Sequence, residues 1–512
     1  MSIHWPIIKR LARSPLRVAL VDDRRTYRAI DLLIGAAHVA GVLRARCATQ
    51  TVGIMLPTSA VFSVCALAGW MAGKVVVPLN YLLKAEELQY VVDDCGTDTV
   101  ITSRQMTEHI PAPQAKNIVY LEDINFRSVP EPAWPATAED DDLGLLLYTS
   151  GTSGRPKGVM LTHGNITANL EQIREWVSVT SADVILGVLP QFHSFGLTVL
   201  TLLPLAADLK AVYTARFVPQ KMVRLMREHR PTIFVAIPSM YNALLSVKDA
   251  GPEDFASLRL VVSGGEPLPD AVFQKFRERF GVTLNEGYGL TETSPVTNWC
   301  RPHEWRPHSV GKPLPRVQER IADINDGRIL DVGQEGEIQI KGPNVMRGYY
   351  RLPEETANAF TADGWFRTGD IGRFDDDGHL YITGRLKEML IIGGENVFPR
   401  EIEEVISLHP AVGGVGVIGM PDPMRGEVPI AFVEAREGMK VEPLEVLALC
   451  REKLAGYKVP DEVRVVEALP RNPTGKTGPW SPSIDLRRAS SSASDVDASL
   501  TRSSSRRFGS LS

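Results

Sequence analysis

The sequence predicts an α/β protein: a large N-terminal domain of parallel βαβ units, a smaller β-structure after it, and a small α+β C-terminal domain. Three observations carry that prediction. Short β-branched runs alternate with helix-length amphipathic segments, turn-punctuated alternating runs follow Pro302, and a mixed pattern resumes at Gly384. At 512 residues the chain also exceeds what one hydrophobic core usually supports.

Taken in order, residues 51–57 read as a strand, 59–72 as a helix and 75–79 as the next strand. Residues 85–94 are helical and 98–103 extended. Strand, helix, strand in this order implies a parallel sheet with helices on its faces. Further strands fall at 143–150, 232–238 and 258–265. After Pro302, turn signals at Asn325-Asp326-Gly327 and at 375–378 separate short alternating runs at 336–342 and 379–384, which read as hairpins. A helix is expected at 400–408, with a domain boundary near 384–387. From about Pro479 the chain is rich in Ser and Arg and poor in large apolar residues, a composition that predicts disorder.

Composition narrows the function classes. A hydrophobic fraction of 44% and a charged fraction of 23% are those of an ordinary soluble globular protein. A net charge of −5 without a dominant basic block speaks against a nucleic-acid partner. Five cysteines without close pairing argue against a zinc site or disulfide framework and fit a reducing cytoplasm. The N-terminus lacks a secretory signal. The most apolar stretch, 184–213, is interrupted by Pro190, Gln191, His193, Pro204 and Asp208, so it reads as core rather than a transmembrane span. Peripheral membrane contact, and the choice between monomer and homodimer, stay open.

The strongest local signal runs from Tyr148 to His163. An apolar strand enters a loop with Gly151, Gly154 and Gly158, hydroxyls on Thr149, Ser150, Thr152 and Ser153, and a cation at Lys157. Glycines let backbone approach a ligand closely, and successive N–H groups, hydroxyls and an ammonium can wrap phosphate oxygens. The spacing is not that of a GxxxxGK[ST] loop. Composition alone is also that of a flexible linker; the preceding buried strand and the Pro156-Lys157 pair favour phosphate binding.

This segment resembles the signature loop of the adenylate-forming enzymes, which include acyl-CoA synthetases, luciferases and peptide-synthetase adenylation domains. The resemblance extends from about Ser14 to Lys476 through several separated motifs in the family's order. Residues 285–292 resemble the second nucleotide motif, within which Glu286, Gly287, Tyr288 and Gly289 would line the nucleotide. The resemblance gives Tyr288 the adenine, Thr291 the α-phosphate and Glu292 the Mg²⁺, with Thr152 as a second metal contact. Gly264, Gly265, Glu266 and Pro267 resemble the segment lining the adenine pocket. Asp370, in WFRTGD, resembles the ribose-binding aspartate, Arg385 the second ribose contact, and Ile382 joins the nucleotide set. An ionised carboxylate suits two hydroxyl donors because it offers two acceptor oxygens.

Lys387 falls at the family's hinge, and Gly393, Gly394 and Glu395 where the thiol's pantetheine tunnel forms. Lys476, in 470–476, resembles the catalytic lysine that bonds the acid and the α-phosphate in the first half-reaction. Thr477-Gly478-Pro479 then departs from the family's usual short helix. Residues 190–197 resemble the acyl-pocket motif, giving His193, Phe195 and Leu197 to the acid. With His193 where amino-acid-activating relatives carry aspartate, a free α-ammonium on the substrate is disfavoured. The apolar run 197–203 suits either a hydrocarbon wall or ordinary core.

The resemblance thus implies an N-terminal AMP-binding domain at 1–384 with a β-barrel-like subdomain, a hinge at 385–388, a mobile C-terminal domain at 389–478 and a tail at 479–512. It further implies Mg²⁺-ATP-dependent activation of a medium- or long-chain fatty acid and its transfer to coenzyme A. Acyl carrier protein is the alternative acceptor and an aryl acid the alternative substrate. A catalytically impaired nucleotide- or acyl-binding protein is the reading from another class.

Overall fold

The computed structural model describes residues 2–150, 155–436 and 438–469. The chain divides into two compact units, one ending at Leu386 and the other beginning at Lys387. The tail beyond Leu469, and with it the expectation of disorder, lies outside the described residues.

The first unit holds two sheets. One runs parallel from Val18–Val21 through Lys210–Tyr213, Val184–Gly187, Ile233–Ala236 and Leu260–Gly264 to Asn285–Gly289. There the ladder turns antiparallel and continues through Val296–Trp299, Ser309–Pro313, Leu380–Arg385, Phe366–Phe374, Gly336–Lys341 and Gln318–Ala322. The alternating runs predicted after Pro302 are therefore strands of one hydrogen-bonded path that begins in the parallel sheet. This continuity puts residues far apart in sequence at neighbouring positions.

In the second sheet Asn117–Tyr120, Thr99–Thr102, Thr51–Ile54, Val75–Pro78 and Leu143–Ser150 are parallel, and Pro156–Thr162 and Gly348–Tyr349 add antiparallel strands. Helix Ala60–Met71 is apolar on nearly every face and almost wholly buried. Ser59 caps it, its Oγ accepting from Phe62 N at 3.3 Å. A Cβ on Gly69 would lie 2.7 Å from Val76, so the helix rests against its strand where no side chain intervenes. One core draws on both sheets, with Leu145 and Val159 from one, Ile185 and Val262 from the other, and Trp70 from helix Ala60–Met71. Residues Leu197–Leu202 form a fully buried π-helical turn within it. Of the two readings of that apolar run, its place in the fold is core.

In the second unit, Leu390–Ile392, Glu395–Val397, Val412–Asp422 and Gly426–Ala435 pair antiparallel, and Glu462–Val466 runs parallel to the last of these. Ile402 and Ile406 of helix Pro399–Ser407 and Val446 and Cys450 of helix Pro443–Lys453 pack on Val417, Ala431 and Val433. Among the described residues no helix is long and apolar enough to cross a membrane.

Candidate active site

Parallel strands Leu260–Gly264 and Asn285–Gly289 end side by side, with Gly264 in register with Gly287. The carboxyl ends of parallel strands are where open α/β sheets bind ligands. Gly265 follows with φ +83°, and Pro267 is exposed beyond the half-buried Glu266. A Cβ on Gly289 would lie 1.9 Å from Pro295 O, so only glycine lets this strand close against the next. Glu286 carries the register onward, its carbonyl accepting from Cys300 N at 2.9 Å.

The ladder from Asn285–Gly289 to Phe366–Phe374 delivers Asp370 to Tyr288. Tyr288 Oη donates to Asp370 Oδ2 at 2.6 Å, and Arg385 Nε donates to Oδ1 at 2.8 Å. The second contact follows from strand register, since Asp370 and Arg385 are direct cross-strand partners. Asp370 is 2% exposed. Burial first, and then the Asp370 charge, push the Tyr288 phenol well above its ordinary pKa, so it stays a donor. A carboxylate has about four lone-pair sites, so two remain for incoming hydroxyls. Ile382 lies three residues before Arg385 on the same strand, half-buried and paired with Gly372.

Glu292 sits in the short turn Thr291–Thr293, and its Oε1 accepts from Tyr349 Oη at 3.0 Å. Burial raises its carboxyl above the usual range. A nearby hard cation would hold it ionised, which is the property a metal-binding carboxylate needs. Segment 344–350 buttresses this turn. Met346 N donates to Glu292 O at 2.7 Å, and Asn344 Nδ2 to Thr293 O at 2.9 Å. The sequence reading passed over this segment. Its one local signal is Gly348, at φ +147°, where a Cβ would lie 2.5 Å from Thr356.

Thr291 Oγ1 lies 3.1 Å from Ser194 Oγ, joining the turn to the acyl-pocket motif. His193 precedes the helical turn Ser194–Gly196, and its Nδ1 accepts from Phe195 N at 3.3 Å. In the neutral ring this leaves the proton on Nε2. His193 and Ser194 line a cavity with Pro78, Asn80, Leu147, Tyr148 and Thr291. Phe195 lies beside Gly264, where a Cβ would be 3.2 Å from its ring, and Leu197 is 0% exposed in the core. Of the three residues expected to line the acyl pocket, His193 alone borders this cavity.

Thr149 on strand Leu143–Ser150 pairs with Lys157 on Pro156–Thr162. Gly158 keeps the site narrow, since a Cβ there would meet Tyr148 and Leu146 at 3.1 Å. Lys157 Nζ lies 2.6 Å from Glu355 Oε2 and 5.4 Å from the Tyr349 ring centroid. Gly151, Thr152, Ser153, Gly154 and Lys476, together with the Ser150 side chain, lie outside the described residues. The structure thus brings together His193, Thr291, Glu292, Tyr288, Asp370 and Arg385 on one unit. In the other, exposed Lys387 is the first residue. Gly393 and Gly394, at φ +61° and +89°, form the two-residue turn between Leu390–Ile392 and Glu395–Val397. Two left-handed residues match the twist of such a hairpin, which is why glycines stand there. Glu395 is exposed.

Comparison with known proteins adds the following. Residues 8–350 match the family model of AMP-binding enzymes, and residues 401–476 that of the AMP-binding enzyme C-terminal domain. The chain is 33% identical to a long-chain-fatty-acid–CoA ligase of Bacillus subtilis, over 91% of each chain. It is also 33% identical to a feruloyl-CoA synthase of an Amycolatopsis species, over 92% of this chain and 96% of that one. Among solved structures, ATP-bound MatB from Rhodopseudomonas palustris superposes with a TM-score of 0.84 at 32% identity, covering 93% of this chain and 97% of the other.

Proposed function

The chain belongs to the AMP-binding enzyme family and is an AMP-forming acid–thiol ligase that uses ATP and coenzyme A; from that premise we propose that its acid is a medium- or long-chain fatty acid. The observation that carries the choice is the cavity beside His193. It is lined by Pro78, Leu83, Val91, Leu147 and Phe192 on its apolar side and by Asn80, Tyr148, His193, Ser194 and Thr291 on its polar side, and among the described residues no Lys or Arg lines it. An acid with a second anionic group would lack a counter-ion there, whereas a hydrocarbon chain needs none. The likeness to a fatty-acid–CoA ligase supports this; the likeness to a feruloyl-CoA synthase makes an aryl acid the second reading.

In the first half-reaction a carboxylate oxygen of the acid attacks the α-phosphorus of ATP, and pyrophosphate leaves. In the second, the thiol of coenzyme A attacks the acyl carbonyl, loses its proton, and AMP leaves. Adenylation replaces a poor leaving group, oxide, with a good one. The protein's part is positioning and charge stabilisation rather than covalent catalysis. Asp370 and Arg385 hold the ribose, Tyr288 stacks on adenine, and Thr291 contacts the α-phosphate. Glu292 and Thr152 would hold the Mg²⁺ that accompanies ATP, and the ion would supply charge neutralisation at the phosphates. Lys476 and His193 act at the reacting carboxylate and phosphate. The chain then turns about Lys387, so that Gly393, Gly394 and Glu395 line the path of the thiol.

The test is pyrophosphate release from Mg²⁺-ATP with straight-chain, aromatic and dicarboxylic acids, with and without coenzyme A. Release with straight-chain acids, accompanied by AMP and acyl-CoA, is expected. Release confined to aromatic or dicarboxylic acids would overturn the substrate assignment while leaving the reaction intact.

A further inference from the structure

Lys157, the cation assigned above to the phosphates, already holds an anion in this structure. Its Nζ is 2.6 Å from Glu355 Oε2; the lysine side chain is 14% exposed and the glutamate 46%. A surface pair of this kind is ordinarily held only by two flexible chains, but here the frame beneath it is fixed. Strand Gly348–Tyr349 pairs with the strand that carries Lys157, Tyr349 opposite Val159. Tyr349 N donates to Thr356 Oγ1 at 2.9 Å, which fastens helix Pro353–Asn358, and with it Glu355, to that strand. Tyr349 meanwhile donates to Glu292 and lies under the Lys157 ammonium. One short element therefore touches both the lysine and the carboxylate expected at the triphosphate.

We propose that Glu355 is a positioning residue that competes with the triphosphate for Lys157, weakening ATP binding and easing pyrophosphate departure. The inference rests on the reading of Lys157 as a phosphate ligand. A carboxylate beside the phosphate site repels an anion of its own sign and neutralises part of the lysine's charge. As pyrophosphate leaves, Glu355 recovers the ammonium, so Lys157 is not left as an unpaired cation that would retain the product. The residue acts through Lys157 and touches no reacting atom.

The experiment measures ATP and pyrophosphate affinity by calorimetry on the full chain, in the parent, Glu355→Gln, Lys157→Met and the double variant, with steady-state kinetics alongside. Glu355→Gln is expected to tighten both anions roughly two- to fivefold, the scale of an exposed ion pair. KM for ATP falls and kcat does not rise, because pyrophosphate leaves more slowly. In the Lys157→Met background the Gln substitution has no effect. Weaker or unchanged ATP binding in Glu355→Gln overturns the proposal, as does an equal shift in both backgrounds, which would mark a bulk charge effect. If Lys157→Met weakens ATP binding while Glu355→Gln fails to tighten it, the competition is refuted and the phosphate reading stands. If Lys157→Met leaves ATP binding unchanged, both fail.

Discussion

Both oxygens of Asp370 are engaged, one by a neutral phenol and one by a guanidinium, and the two contacts differ in kind. The Arg385 contact joins two charges on adjacent strands, whereas the Tyr288 contact is a hydrogen bond from a neutral phenol. A hydrogen bond to a charged group contributes about 1.5–3 kcal/mol, and a neutral one about 1 kcal/mol. Replacing the carboxylate with an amide turns one of its two acceptor oxygens into a donor and leaves Arg385 without its anion, which on the proposed ribose role costs one hydroxyl contact and the charge. Asp370→Asn is therefore expected to raise KM for ATP by about tenfold or more. Tyr288→Phe, which keeps the ring and the Asp370–Arg385 pair, should raise it less than Asp370→Asn does, because the phenol bonds the carboxylate rather than replacing it. Titration calorimetry with ATP ranks the two; a larger loss in Tyr288→Phe would show that the phenol hydroxyl, not the carboxylate, anchors the nucleotide. The sequence made Asp370, Arg385 and Tyr288 legible as motif residues. Their direct bonds were not legible, because 82 residues separate Tyr288 from Asp370.

At the scale of the element, strand Gln318–Ala322 carries an acid where the sheet offers it one partner. Glu319 Oε2 accepts from Asn298 Nδ2 at 3.0 Å, and Oε1 is buried without a hydrogen-bond partner among the described residues. Burial raises the carboxyl from 4.5 to about 8. Between those values the unfolded chain has released the proton and the folded chain retains it. Stability from this group consequently falls as pH rises through that window and levels off above it. Glu319→Gln removes the titration, so it should raise the melting temperature at pH 8 and change it little at pH 4.5. Equal shifts at both pH values in a thermal scan would show that Glu319 is ionised throughout. Local pattern reveals such elements unevenly. Strand Leu143–Ser150 and helix Ala60–Met71 stand out by β-branched and apolar runs bounded by turn residues. The π-helical turn Leu197–Leu202 does not, since a segment buried on every side has no polar face to mark its period. The buttress at 344–350 is hard to see for a related reason: apart from Gly348 and the Tyr349 hydroxyl, its contacts are made by backbone groups and one Asn amide, which carry no sequence signature.

For the whole molecule, the parallel βαβ units and the antiparallel strands after Pro302 were legible in the alternation of β-branched and helix-length segments and in the turn signals. The joining of parallel and antiparallel strands into one ladder depended on long-range pairing, which local pattern does not encode. That ladder puts Tyr288 from its parallel part beside Asp370 from its antiparallel part, and Asp370 beside Arg385. Lys387, Gly393 and Gly394 belong to the second unit, and the proposed function uses them in the second step. The central claim is that the acid is activated at its own oxygen by the α-phosphorus. It is tested most directly with a straight-chain fatty acid labelled with ¹⁸O in both carboxylate oxygens, incubated with Mg²⁺-ATP, coenzyme A and the full chain. AMP bearing one labelled oxygen in its phosphate is expected, with unlabelled pyrophosphate. Label in inorganic phosphate, with ADP as the nucleotide product, would mean attack at the γ-phosphorus and would contradict it.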